Sequence, residues 1–325
     1  MQMDPKKEIL IAVPHGMCAG VRRALEAVES VLHRCGTPVY VLHEIVHNDF
    51  IVNDLRRRGV RFAETLAEVP EGAVLLFSAH GVSAAVEREA KKRKLRIVDA
   101  TCPLVKRLQI AAARRSSDPG DVLILIGHRG HPEVEGVLGR TGGGRVLVVE
   151  READIAALPD CSGARRISRL AQTTLNCETV ETLTGLLRQR YPALECGPGI
   201  CYATTNRQSA MCELASLCGM VLVIGSRRSS NSNRLREIAE SRGCRAFLID
   251  GPEVLPPEVA SWPGPIGVSA GASAPEELVE RTVVRLGELG FGPVRLLGTP
   301  EQKLARAPPE IPESRPASPG GAGGT

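Results

Sequence analysis

The chain has 325 residues, of which 43% are hydrophobic, 24% charged and only 3% aromatic. That length supplies substantial cores for two or three domains; the scarcity of Phe, Trp and Tyr argues against a nucleic-acid module that stacks bases on aromatic rings. The 41 basic and 37 acidic residues nearly balance, leaving a formal net charge of +4 that selects no partner.

The N-terminal "MQMDPKKEILIAVPHG" runs almost directly into a short apolar strand, too short for a signal-peptide core. No stretch approaches the roughly 18 uninterrupted apolar residues of a membrane helix. A cytoplasmic protein without disulfides is therefore expected. Along the chain, "EILIAV", "VYVLH", "AVLLFS", "RIVDA", "DVLILIG", "VLVVE", "RISRLA", "MVLVIGS", "AFLID" and "PIGVSA" read as strands. Many are continuous apolar runs, the pattern of strands buried on both faces. Amphipathic helices lie between them, such as the one starting near Val21, with Leu25, Val28 and Leu32 on one face and a stop at Gly36. Alternating strands and helices predict an α/β protein with parallel sheets. From about Ala305 the chain turns Pro-, Gly- and Ser-rich, and 305–325 is expected to be a disordered tail.

In such folds ligands meet the loops at the carboxyl ends of strands. Those loops carry, in order, Cys18, His47 and His80; Cys102, His131 with Glu133, and Thr173; Cys201, Ser229 with Asn231, and Ser273. His47 follows Cys18 by 29 residues, His131 follows Cys102 by 29 and Ser229 follows Cys201 by 28. The third member of each set follows its cysteine by 62, 71 and 72 residues, and the sets recur every 84 to 99 residues. This order predicts three similar α/β units facing a common centre: 1–101, 102–198 and 199–304. The first strand is left free to join either the first unit or the last.

Ten cysteines occur without any C-x-x-C pair, so a metal site must draw single cysteines from distant segments. Cys18, Cys102 and Cys201 share one setting, a strand end just before a helix. Pro103 suits the first position of the helix after Cys102, and Thr205 with Gln208 has capping-box spacing, placing a helix start near Asn206. Helix N-termini favour thiolate over thiol. Cys35, Cys161, Cys177, Cys212, Cys218 and Cys244 read as small hydrophobes, with Cys212 and Cys218 in helical pattern. Cys196, five residues before Cys201, is ambiguous. Three thiolates can hold zinc with a fourth ligand or a [4Fe–4S] cluster with one open iron, and the residues alone do not choose. They leave a zinc-dependent hydrolase of a phosphorylated metabolite and a cluster-bearing sensor open beside a redox enzyme.

"GSRRSSNSNR" and "SAGASAP" place small hydroxyl and amide groups at strand ends before helices. With three histidines at equivalent positions they favour a diphosphate-like anion. No P-loop or convincing dinucleotide fingerprint accompanies them. "GHRGHPEVEG" offers either a histidine–carboxylate proton relay or a solvated helix start. The basic run "KKRKLR" reads as a solvated helix end that could dock an acidic electron-transfer protein.

Taken together, "CAGV", "HEIVHN", "FSAHGVS", "DATCPLV", "GHRGHPEVEG", "QTT", "CYATTNRQ", "SSNSNRL" and "AGASAP" resemble the 4-hydroxy-3-methylbut-2-enyl diphosphate reductase family, from about residue 8 to 300. The resemblance implies a three-lobed trefoil of α/β units around one [4Fe–4S] cluster held by Cys18, Cys102 and Cys201. It implies a diphosphate held by His47, His80, Ser229, Ser230, Asn231 and Ser273. His131 and Thr173 would lie near the allylic hydroxyl, with Glu133 as proton donor. It further implies electrons from a ferredoxin or flavodoxin with its reductase, and neither nucleic acid nor membrane as partner. The sequence departs from the family pattern at His15 and Met17, at Arg227 and Arg228, and in the extra thiol Cys196.

Overall fold

The computed structural model describes residues 7–301; the Pro-, Gly- and Ser-rich segment 305–325 lies outside them. Strand β1 (Ile9–Val13) leads into α1 (Ala19–Cys35). A four-stranded parallel sheet follows, built from β2 (Val39–Leu42), β3 (Val60–Ala63), β4 (Val74–Phe77) and β5 (Arg96–Asp99) in the order β3-β2-β4-β5. Helices α2 (Asp49–Arg57) and α3 (Ala84–Lys92) connect its strands.

After α4 (Pro103–Arg115) comes a second parallel sheet of β6 (Asp121–Ile126), β7 (Arg145–Val149), β8 (Arg166–Ala171) and β9 (Glu195–Cys196), ordered β7-β6-β8-β9. Its crossovers contain α5 (Pro132–Leu138), α6 (Glu152–Ala156) and α7 (Cys177–Arg190). The last part holds α8 (Tyr202–Ala215), β10 (Met220–Ile224), α9 (Ser230–Ser241), β11 (Arg245–Ile249), β12 (Ile266–Ala270), α10 (Glu276–Glu288) and β13 (Val294–Gly298). The third sheet runs β11-β10-β12-β1-β13, so the N-terminal strand is threaded between two C-terminal ones, with Ile9 opposite both Ile266 and Val294. In strand order β1 occupies the place that β5 and β9 hold in the other sheets.

Each of α1, α4 and α8 packs on the sheet that follows it rather than the one it leaves. Val21, Ala24 and Val28 of α1 meet Val39, Val41 and Leu76 of the first sheet. Leu108 and Ala112 of α4 meet Leu123, Leu125 and Leu170 of the second. Met211 and Leu214 of α8 meet Leu10, Ala12, Val221 and Val223 of the third. Apolar burial, the dominant driving force, thus links every sheet to the preceding chain segment.

All ten expected strands form. The three unanticipated ones, β3, β9 and β13, occupy sheet edges. Edge strands are wetted along one side and need no continuous apolar run; Arg61 in β3 and Leu296 in β13 are exposed. Among the described residues no helix is long and apolar enough to cross a membrane.

Because β1 is buried on both faces, Leu10→Ala should cost about 2–5 kcal/mol and lower the urea midpoint accordingly. An unchanged midpoint would mean that β1 contributes nothing to the third sheet's core.

Candidate functional site

Cys18, Cys102 and Cys201 are the N-cap residues of α1, α4 and α8. Each backbone N–H donates to a carbonyl in a strand-end loop of the sheet the chain is leaving: Cys18 to Ala272 at 3.1 Å, Cys102 to Ala79 at 3.0 Å and Cys201 to Thr173 at 3.1 Å. The three thiols line one central cavity of about 100 Å³. Gly20 makes room for one of them, since a Cβ there would lie 2.6 Å from Cys102 Sγ. Among the described residues no three Cys, His, Asp or Glu side chains converge as ligands of a single metal ion.

The helix after Cys201 begins earlier than the capping-box spacing predicts. Tyr202 is its first residue, and Thr204 N–H donates to Cys201 Sγ at 3.4 Å, so the cysteine itself is the cap. Gln208 instead accepts from Cys177 N–H at 2.9 Å and donates to the Leu175 carbonyl at 2.8 Å. The expected preference for thiolate is also reversed at Cys201. Burial pushes its thiol up to about 11, aided by the other two cysteines and opposed by the Thr204 hydrogen bonds. Desolvation outweighs the helix terminus, so a cation binding there must displace a proton.

The same cavity is lined by His47, His80, His131, Glu133, Thr173, Ser229, Ser230, Asn231 and Ser273, every residue anticipated around the anion and the hydroxyl. Glu133, on the first turn of α5, is 1% exposed. Its carboxyl accepts from Thr173 N–H at 2.7 Å and Thr173 Oγ1 at 2.9 Å. Burial nevertheless raises its pKa to about 7, because two hydrogen bonds recover only part of the lost hydration. His131 caps α5, its Nδ1 accepting from Glu133 N–H at 3.1 Å, which leaves Nε2 as the protonated nitrogen of the neutral ring. Desolvation, with His47 and His128 adding repulsion, lowers His131 to about 4.

His80 stacks on His47 with ring centroids 4.2 Å apart, and His131 stands edge-on to both at 5.9 Å. Desolvation and then the neighbouring imidazoles hold His80 well below the usual histidine range. Facing this trio is the start of α9, capped by Ser229, which accepts from Ser232 N–H at 3.3 Å. Ser230 Oγ accepts from Thr174 Oγ1 at 3.1 Å, and Ser273 Oγ donates to the His47 carbonyl at 3.0 Å. Asn231 accepts from Ala272 N–H at 2.8 Å through Oδ1, while its buried Nδ2 has no partner among the described residues. Gly271 lets α9 approach this closely, for a Cβ there would lie 1.9 Å from Ser232 Oγ.

The remaining thiols stay away from the cavity. Cys196 is exposed on β9 and accepts from Arg188 at 3.5 Å. Cys218 lies beyond the end of α8 rather than inside the helix, where Cys244 Sγ donates to its carbonyl at 2.9 Å. In "GHRGHPEVEG" only His131, Glu133 and their loop face the site; His128 turns to Glu150. His15 is bound to the Ala12 carbonyl at 2.6 Å and to Glu276 at 3.0 Å. Met17 packs on the first sheet's core.

Three supporting residues went unrecognised in the sequence. Arg207 of α8, 1% exposed, donates to the Gly16 carbonyl through Nε at 3.0 Å and Nη2 at 2.8 Å, and pairs with Glu301 at 3.3 Å. It ties the loop before Cys18 to the helix after Cys201. Thr174 and Thr204 hold Ser230 and Cys201. The one available signal was an arginine on a helix lacking an apolar stripe.

Three parallel sheets meeting at one cavity, lined by three helix-capping cysteines, a raised carboxyl and histidine, serine and asparagine side chains, define an α/β protein with a polar, thiol-bearing centre. Residues 9–287 match the LytB protein family, and the chain belongs to that family. A 4-hydroxy-3-methylbut-2-enyl diphosphate reductase from Aromatoleum aromaticum is 48% identical over 309 residues, covering 94% of this chain and 98% of the relative. The enzyme of that name from Haemophilus influenzae is 47% identical over 310 residues, covering 94% and 98%. The solved structure of the E-1-hydroxy-2-methyl-but-2-enyl-4-diphosphate reductase from Plasmodium falciparum superposes with a TM-score of 0.88 at 32% identity, covering 95% of this chain and 96% of that one. A second solved structure, of (E)-4-hydroxy-3-methyl-but-2-enyl diphosphate reductase, the terminal enzyme of the non-mevalonate pathway, gives 0.62 at 32% identity, covering 86% of this chain and 99% of that one.

Thr173→Val removes the hydroxyl that donates to Glu133, so the carboxyl should titrate still higher than about 7. Carboxyl ¹³C NMR against pH checks this; an unchanged or lower midpoint would contradict the role of the Thr173 hydroxyl in stabilising the carboxylate.

Proposed function

We propose that the protein catalyses the reductive removal of the hydroxyl of (E)-4-hydroxy-3-methylbut-2-enyl diphosphate, giving isopentenyl and dimethylallyl diphosphates. A C–O bond breaks, a C–H bond forms, and the oxygen leaves as water; two electrons and two protons enter. The observation that carries this reading is a single cavity holding three cysteines, a buried carboxyl and a diphosphate-sized polar cradle.

Cys18, Cys102 and Cys201 would hold one [4Fe–4S] cluster. Their thiols share one cavity, and the missing Cβ of Gly20 admits Cys102 Sγ, which a Cβ would meet at 2.6 Å. When bound, the cluster supplies electrons one at a time and a Lewis-acidic iron.

His47, His80, Ser229, Ser230, Asn231 and Ser273 grip the diphosphate. The α9 N-terminus adds N–H donors and partial positive charge, and Asn231 Nδ2 supplies a donor with no competing partner. Fixing the diphosphate orients the hydroxyl toward His131, Thr173 and Glu133. With a pKa raised to about 7, Glu133 can hold a proton near neutral pH and give it to the departing oxygen. Thr173 holds that carboxyl in place through both its N–H and its hydroxyl.

Anaerobically purified Cys201→Ser should lose iron and sulfide, whereas Cys212→Ser should keep both; equal iron in the two variants would refute the ligand assignment. Glu133→Gln should keep its iron yet turn over about a hundredfold more slowly or worse. Unchanged turnover would remove Glu133 as proton donor.

The protonation of the cradle is testable as well. His80 and His131 are held below the usual histidine range, and an adjacent diphosphate favours the imidazolium, raising both. Substrate binding near pH 5, below the pKa of Glu133, should therefore take up protons on these rings, so calorimetric heats should vary with the buffer's ionisation enthalpy. Buffer-independent heats would take these rings out of the anion site.

A further inference from the structure

We propose that the groove between α4 and the segment leading into α8 docks an acidic one-electron carrier protein, a proposal that rests on the reductive reading above. The groove encloses about 350 Å³ and is lined by Arg107, Ile110, Arg114, Arg115, Arg166 and Pro198, with Glu195 its only acid. Glu195 is already paired with Arg115 at 3.0 Å, and Arg166 with the buried Asp121 at 2.8 Å. Arg107 and Arg114 are exposed and make no ion pair among the described residues. They flank Ile110, which is 47% exposed.

Arginine around an accessible aliphatic anchor suits a protein interface, and unpaired positive charge steers an acidic partner toward it. Position gives the groove its purpose. Its one wall is the helix that starts at Cys102, with Arg107 about 7–8 Å along the axis. The opposite wall includes Pro198, three residues before Cys201. Both walls thus lead through the backbone to cysteines of the central cavity. The other basic run is a weaker candidate, because Lys91, Lys92 and Lys94 face Glu87, Glu89 and Glu71. It also lies at the end of β5 away from Cys102.

At each encounter the carrier would give up one electron to an iron–sulfur centre held by Cys18, Cys102 and Cys201. Two encounters supply the pair consumed when one C–O bond is cleaved. No bond forms between the proteins.

The test uses the holoenzyme and its Arg107→Glu/Arg114→Glu variant, with flavodoxin as the acidic probe and the methyl viologen radical as a small donor that needs no docking surface. Charge reversal should weaken flavodoxin affinity about tenfold or more and flatten its dependence on salt. Flavodoxin-driven turnover at limiting carrier should fall in step, while viologen-driven turnover stays within about twofold of the parent. A Lys91→Glu/Lys92→Glu variant should bind flavodoxin as the parent does. Unchanged affinity in the arginine variant, a larger loss in the lysine variant, or tighter binding of duplex DNA than of flavodoxin would each overturn the proposal. Lack of viologen-driven turnover in the parent would instead sink the reductive reading, leaving the charge-dependent affinity as a separate result.

Discussion

At Cys18, Cys102 and Cys201 the chain leaves one sheet, donates its backbone N–H to a strand-end carbonyl of that sheet, and starts a helix that packs on another. Each crossover fixes a thiol and joins two hydrophobic cores at once. Because the third crossover returns to a sheet whose fourth strand is β1, the arrangement closes on itself. The cavity sits where the three crossovers meet. Its geometry depends on all three cores, so a displaced cysteine loop would disturb both a thiol position and the packing of two sheets.

Further cross-links stiffen this centre from outside the cavity. Arg207 binds the loop before Cys18 to the helix after Cys201, with Glu301 balancing its buried charge. Arg228 pairs with Glu44 and Asp49, clasping the α9 loop to the loop after β2. Ser226 donates to Asp49 at 3.1 Å in the same place. Arg228 is thereby held in an ion-pair clasp outside the cavity lining. A buried arginine stripped of its acid would be costly, which explains why Arg207 is matched both by carbonyls and by a carboxylate.

Burial moves several of the cavity's ionisable groups toward neutrality. It raises Glu133 and Cys201 and lowers His80 and His131. The protein supplies dipoles and protons in fixed positions, and net charge arrives with what binds. Ligand affinity and protonation are consequently linked. Preorganised donors of this kind need no rearrangement when charge develops, which is where enzyme active sites draw much of their advantage. The groove along α4 has the opposite character, with the charges of Arg107 and Arg114 left exposed at the surface.

Much of this was legible before any coordinates. Local apolar runs determine the ten principal strands, and the recurring order of polar loops determines that three like units face a common centre, because strand-end loops in parallel sheets collect on one side. Residue types at those loops name much of the cavity's lining, whereas Cys196, ambiguous in sequence, is placed on an exposed edge strand only by the structure. Other features needed the tertiary structure because they depend on residues far apart in sequence. The partner strands of β1 are more than 250 residues away, and its short apolar run fits any buried sheet. The edge strands β3, β9 and β13 carry no continuous apolar signal. Cys201 became its own helix cap, and Gln208 was drawn to Leu175 and Cys177 instead of the cap. Arg207 could be recognised only once Gly16 and Glu301 were beside it. Local chemistry specifies which groups stand at the ends of the strands; long-range packing decides how they meet and how much water they lose, and that loss sets their protonation.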